Sequence, residues 1–246
     1  MSKWFVKLRH TRAAKLRVFC FPYAGGGASI YRGIEKWLPA EVDVFAVQRP
    51  GREDRIGEEP YATMGPIIAA LQRELVPYCD VPCIFVGYSL GGMEAFELGR
   101  AFQCEGGLGL KHLLVCASRP PHLPSSRPPF HQLPYDEFIE NMKLFSKTPK
   151  EILDNREWME VFTPMLRADF ALGFTHRCES DVKLKVDSTV FFGVRDVLIS
   201  ADKIRQWDTL LDGRVSYVDF SSGHFFIHEE AEKFREELVK TICGIL

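Results

Sequence analysis

No apolar run in the 246 residues reaches the length needed to cross a bilayer, which excludes a helical membrane span. The formal net charge is only −2, so the chain lacks the one-signed excess that would mark a nucleic acid or an anionic membrane as its partner. It has no internal repeat and no low-complexity tract, which sets aside solenoid and linker-like architectures. The seven cysteines are odd in number and scattered, several inside apolar runs such as "VFCF" and "LLVCAS". That pattern fits buried free thiols in a reducing compartment better than a disulfide framework. Cys79 and Cys83 form the one close pair, and no neighbouring His or Cys completes a zinc site. The opening "MSKWFVKLRHTRAAKLR" is basic and lacks acids, as a transit peptide would. Its alternating "WFVKL" reads instead as a short strand, and no long apolar core follows. A soluble, cytoplasmic, monomeric protein is expected.

What is present has a clear order. Apolar content of 46% with 26% charged residues suits one globular unit, and a single domain over 1–246 is expected. Strand-like runs lie at 17–21, 42–47, 84–86, 113–117, 189–192 and 215–220. Helix-like segments lie at 30–38, 64–78, 93–102, 204–211 and 229–242. Alternation of the two predicts parallel βαβ units, hence an α/β fold with a mostly parallel, doubly wound sheet.

One stretch interrupts the alternation. "RPPHLPSSRPPF" is too proline-rich for regular structure, and residues 135–177 then read as helices with no strand between them. Trp158, Phe162, Met165, Leu166 and Phe170 fall on one helical stripe, as do Phe138, Met142 and Phe145. Any one such stripe could simply pack on the core. An all-helical insertion over about 119–182, entered through a proline-rich hinge, also suits a lid over an apolar site.

The chemistry concentrates at "CIFVGYSLGGM". Gly87-Tyr88-Ser89-Leu90-Gly91 is G-x-S-x-G, with an apolar run before it and a helical pattern after it. A serine on so tight a strand-to-helix turn is pushed out over the sheet edge, and glycines on either side remove side chains that would clash. Serine needs a base, and in this architecture the acid and the histidine follow it in that order. Of the later histidines, His224 alone lies in a small-residue loop, "SSGH", after a strand and before a helix. Asp196, just past the strand in "TVFFGVRD", is the expected acid, and Asp219 at the end of "VSYVD" is its rival. The glycine-rich "FPYAGGGAS" can bring a second amide to a developing oxyanion, so Ala24 N–H is expected to act beside Leu90 N–H. A phosphate cradle would need Walker spacing and a lysine, which are missing. His224 and His228 at i, i+4 could suggest a metal pair, but no zincin pattern accompanies them, and no metal or organic cofactor is expected. "RPGREDR" at 49–55 is either a solvated loop or a border of the active-site mouth that meets a phosphate or acidic group.

These motifs, "FPYAGGGAS", "QRPGREDR", "GYSLGGMEAFEL", "GVRDVLIS" and "FSSGHFFI", together resemble the type II thioesterases. Those are stand-alone hydrolases that accompany modular polyketide and nonribosomal peptide synthetases. The motifs run from about 18 to 230 and keep the family's order. The resemblance implies an α/β-hydrolase fold with a helical lid, and hydrolysis of acyl groups from the phosphopantetheine arm of acyl or peptidyl carrier proteins. It implies Ser89 as nucleophile, Asp196 as acid and His224 as base. Tyr23, Tyr88, Met93, Phe162 and Phe225 are expected near the acyl chain, with Tyr88 and Met93 equally able to fill the core. The alternatives are a carboxylesterase or lipase-like hydrolase of small esters and a catalytically inactive hydrolase-fold binding module.

Overall fold

Strands that are apolar along most of their length must be covered on both faces, and the computed structural model covers them so. It describes residues 2–246 except 107, 108, 127, 146, 147, 149, 179, 180 and 182. The strands are β1 (Phe5–Arg9), β2 (Leu16–Phe21), β3 (Val42–Val47), β4 (Cys83–Tyr88), β5 (Leu110–Cys116), β6 (Ser188–Gly193) and β7 (Val215–Phe220). They form one sheet in the order β1-β3-β2-β4-β5-β6-β7. Only β1 runs antiparallel, against β3, and the other neighbours are parallel. Strands β2, β3, β4 and β6 are buried along their whole length, as central strands of a two-faced sheet must be.

The helices are α1 (Met64–Leu75), α2 (Leu90–Cys104), α3 (Tyr135–Phe145), α4 (Lys150–Leu153), α5 (Arg156–Thr175), α6 (Ala201–Arg205), α7 (Phe226–Glu229) and α8 (Ala231–Cys243). Alternation along β2 shows how they share the sheet. Phe19 and Phe21 pack with Phe45, Phe85 and the α2 residue Phe96, while Val18 and Cys20 pack with Val44, Ile84 and the α8 residues Phe234 and Leu238.

The order of β2 and β4 positions the site. They are neighbours in the sheet although β3 lies between them in sequence, so the winding reverses there. Phe21 pairs with Gly87 at the carboxyl ends of the two strands. The loop after β2 and the turn after β4 therefore leave the sheet side by side, at the crevice where open α/β sheets bind ligands.

Several segments differ from the sequence expectation. Residues 30–38 are not one helix but two short 3₁₀ turns, Ala28–Tyr31 and Ile34–Trp37. Gly33 between them has φ 99°, a left-handed conformation that interrupts any helix. The helix expected over 204–211 is α6 followed by a 3₁₀ turn at Gln206–Thr209. That expected over 229–242 is α8, which starts at Ala231 because Glu230 (φ −128°, ψ 48°) separates it from the short α7.

Helices α3, α4 and α5 lie between β5 and β6 in sequence and build an apolar cluster of their own from Phe130, Phe138, Met142, Leu153, Met159 and Leu166. The side chain of Phe145 and the expected boundary at residue 182 lie outside the described residues. Asn155 caps α5 by accepting a hydrogen bond from Trp158 N–H. Trp158 leaves the expected stripe: its side chain is 54% exposed on the outer face, while Met165 and Leu166 are buried.

Candidate active site

Backbone crowding explains the glycines around Ser89. A Cβ on Gly87 would stand 2.3 Å from Gly91 O, and one on Gly91 would stand 2.1 Å from Phe21 O. Neither position admits any side chain. The turn they permit puts Ser89 at φ 52°, ψ −113°, a strained conformation for a residue with a Cβ, costing on the order of 1–3 kcal/mol. Its N–H donates to Cys116 O at 2.8 Å, so the ladder with β5 holds the turn in place.

Two further strand ends meet this serine. Strand β6 leads to Asp196 and β7 to His224, and their pairing continues beyond the sheet: Val194 N–H donates to Phe220 O and Arg195 N–H to Ser222 O. His224 Nδ1 lies 2.7 Å from Asp196 Oδ2, and His224 Nε2 lies 3.0 Å from Ser89 Oγ. The carboxylate fixes the proton on Nδ1 and leaves Nε2 to accept from the serine hydroxyl. Asp196 Oδ1 accepts from Leu198 N–H at 2.7 Å and Ile199 N–H at 3.2 Å, which holds the carboxylate in position. Asp219, the rival acid, is exposed at the end of β7. Among the described residues, no group of three or more His, Cys, Asp or Glu side chains could hold a metal ion.

Two cavities meet at the serine. The larger, about 410 Å³, runs from Ser89 and His224 to the α5 side chains Met159, Phe162, Met165 and Leu166. The smaller, about 140 Å³, is bounded by Leu90, Met93, Arg119, Ser125 and Ser126. Ala24, Ser89, Phe170, Leu198 and His224 line both. Of the expected acyl contacts, Tyr23, Phe162 and Phe225 face the larger cavity and Met93 the smaller. Tyr88 faces neither. It is buried below the site, where its hydroxyl donates to His224 O at 2.6 Å. His228 lies one turn past His224, its Nε2 3.1 Å from Tyr23 Oη.

The charged segment 49–55 is solvated only in part, at Glu53 and Asp54, and its Arg52 and Glu53 line the larger cavity. Arg49 and Arg52 are buried, and with Glu94 and Asp169 they form a four-charge network behind the loop that carries Ala24. Arg49 Nη1 donates to Glu94 Oε1 at 2.9 Å, and Nη2 donates to Tyr23 O at 2.7 Å. Arg52 grips Asp169 with both terminal nitrogens, at 2.6 and 2.8 Å, and the same carboxylate accepts from Gly25 N–H at 2.8 Å. Burial alone would raise the Asp169 carboxyl, but Arg49 and Arg52 outweigh it and hold the group below the ordinary aspartate value. Burial raises Glu94 in spite of Arg49. Asp169 is not among the residues that the sequence motifs single out. Its signal was an acid one turn past Met165 and Leu166 on the apolar stripe of α5, where a lone carboxylate is too costly to bury unpaired.

The chain is similar to known proteins along its length. The thioesterase domain family's model matches residues 16–246. The gramicidin S biosynthesis protein GrsT of Aneurinibacillus migulanus is 31% identical over 246 residues, spanning 100% of this chain and 96% of the relative. Among solved structures, the type II thioesterase BorB from the borrelidin biosynthetic cluster is similar with a TM-score of 0.86 and 27% identity, covering 96% of both chains. ClbQ from the colibactin NRPS/PKS pathway is similar with a TM-score of 0.87 and 26% identity, over 94% of this chain and 98% of that one.

Proposed function

Because the chain belongs to the thioesterase domain family, as a thioester hydrolase of the α/β-hydrolase fold, we propose that it removes acyl groups from the phosphopantetheine arm of carrier proteins in polyketide or nonribosomal peptide synthesis. The observation that carries this reading is the continuous hydrogen-bonded line from Asp196 through His224 to Ser89 at the crevice. The pathway association rests on the likeness to GrsT, BorB and ClbQ.

His224 takes the Ser89 proton as Oγ attacks the thioester carbon. The carbonyl oxygen becomes an oxyanion, received by the Leu90 amide at the head of α2 and the Ala24 amide of the β2 loop. Asp196 stabilises the imidazolium, which passes its proton to the departing pantetheine sulfur. A water then attacks the acyl-serine, again through His224, and the free acid leaves. Every step uses side chains, backbone amides and water, so neither a metal nor an organic cofactor is required. The chain acts as a monomer in the cytoplasm, and α3 to α5 act as a lid over the larger cavity, whose Met and Phe lining suits an aliphatic acyl chain.

The test is hydrolysis of acyl groups loaded on carrier proteins, read by intact mass, with wild type and Ser89→Ala in parallel. Wild type should release the acyl group, and Ser89→Ala should be slower by on the order of 10⁴-fold or more. Preference for oxygen esters of equal chain length, with no release from carriers, would overturn the carrier-protein reading. Equal turnover by Ser89→Ala would overturn the site.

A further inference from the structure

A peptide unit is planar and trans, so its C=O and N–H point in opposite directions. The carbonyl of Tyr23 and the amide of Ala24 belong to one such unit. Arg49 holds that carbonyl at 2.7 Å and reaches the adjacent Pro22 O at 3.2 Å, from the buried side of the loop. Ala24 lines both cavities that open onto Ser89. The other terminal nitrogen of the same guanidinium holds Glu94, one helical turn beyond Leu90 on α2. We propose that Arg49 is a positioning residue for hydrolysis: through Tyr23 O it aims and polarises the Ala24 amide, and through Glu94 it sets that amide's separation from the Leu90 amide.

The inference rests on the reading that these two amides receive the oxyanion. The chemistry explains why arginine is there. A cation donating to a carbonyl draws electron density through the amide and makes its N–H a stronger donor. A planar fork holds the loop and the helix with two nitrogens at a fixed separation, whereas a lysine ammonium is a single point that cannot fix that separation. Asp169 secures the following residue, because it accepts from Gly25 N–H, and Arg52 donates to Gly26 O at 3.0 Å. The Ala24 amide is thus held on both sides by buried charge, while its own unit, closed in a turn by Gly26 N–H donating to Tyr23 O at 3.0 Å, is held among the described side chains by Arg49.

Arg49→Lys should lower kcat about 10- to 100-fold on an acyl N-acetylcysteamine thioester, less than outright loss of an oxyanion donor, with KM near that of wild type. An alkyl boronic acid, which mimics the tetrahedral state on serine, should lose affinity by the same factor. A thioether analogue of the substrate should bind as before. If Arg49→Lys does not fold, the apolar double variant Arg49→Met with Glu94→Leu removes both buried charges together and keeps a packed core. It should show the same split between boronate and thioether. A folded variant with kcat within about twofold of wild type, or one losing boronate and thioether affinity equally, overturns the proposal. Ser89→Ala, run alongside, separates the two questions: if it is inactive while Arg49→Lys is unaffected, only the role of Arg49 falls, and if it is active, the site itself has been misread.

Discussion

Tyr88 Oη donates to the backbone carbonyl of His224 across 2.6 Å, from the residue immediately before Ser89. The strand carrying the serine therefore holds the loop carrying the histidine by a bond outside the Ser89–His224–Asp196 line. Replacing Tyr88 with Phe keeps the ring packing against Tyr23 and Phe226 but leaves the carbonyl unpaired. The expected cost is about 1–3 kcal/mol in urea unfolding, with a several-fold fall in kcat as His224 loosens. Unchanged kcat in a destabilised Tyr88→Phe protein would mean that the bond serves the fold alone.

Gly91→Ala should be among the most damaging single-methyl changes in the chain. The new Cβ would meet the Phe21 carbonyl at 2.1 Å, with backbone on both sides of the contact. Relief requires moving α2 away from β2, and with it the Leu90 amide. Destabilisation of about 3 kcal/mol or more is expected, at or beyond the upper end of ordinary overpacking, together with loss of turnover. Thermal melts and hydrolysis assays on the same preparation check both.

The buried His112 sets an acid limit. Its Nε2 lies 2.9 Å from Thr189 Oγ1 between β5 and β6, and burial pushes its pKa down to about 4. A histidine depressed in the folded state stabilises fully above its unfolded pKa and loses that contribution as pH falls through the folded value. Stability should therefore decline by about 3 kcal/mol between roughly pH 6.5 and pH 4 on this account. In His112→Gln the melting temperature should fall less steeply across that window. An identical slope would assign the acid loss to other groups.

Asp169→Asn should cost more than an exposed charge change would. It leaves Arg52 and Arg49 buried without their shared anion, a loss of about 3–5 kcal/mol by analogy with broken buried ion pairs. The amide also cannot return both arms of the Arg52 fork. Hydrogen exchange should show the effect first in α5 and in the loop of Gly25 and Gly26.

How much of this was legible in the sequence varies by residue. The turn at Ser89 was readable because glycine, serine and glycine must sit at fixed spacing where backbones touch, and the order of Asp196 and His224 followed from strand ends. Strand β7 was expected at 215–220 and lies at Val215–Phe220. Periodicity failed where one residue outweighs a pattern, as at Gly33, whose φ of 99° divides an apolar stretch that otherwise reads as a helix. It also failed at Trp158, which matches the stripe in spacing but stands on the first turn of α5, beyond the cluster that buries the rest. Charge pairing over distance was not legible. Arg52 and Asp169 are 117 residues apart, and nothing local to either names its partner.

That separation bears on how the enzyme can be altered. Acyl preference would ordinarily be re-engineered by transplanting helices α3 to α5 from a relative. Here the transplant carries a counter-ion of the scaffold with it, because Asp169 neutralises arginines of the loop that follows β3. A donor segment without an acid at that place would bring new apolar lining and strand a buried positive charge beneath the Gly25 loop. Point changes at Met159, Phe162 or Phe170 leave that charge balance intact, so they are the route by which a lineage, or a designer, can change the acyl group without rebuilding the base.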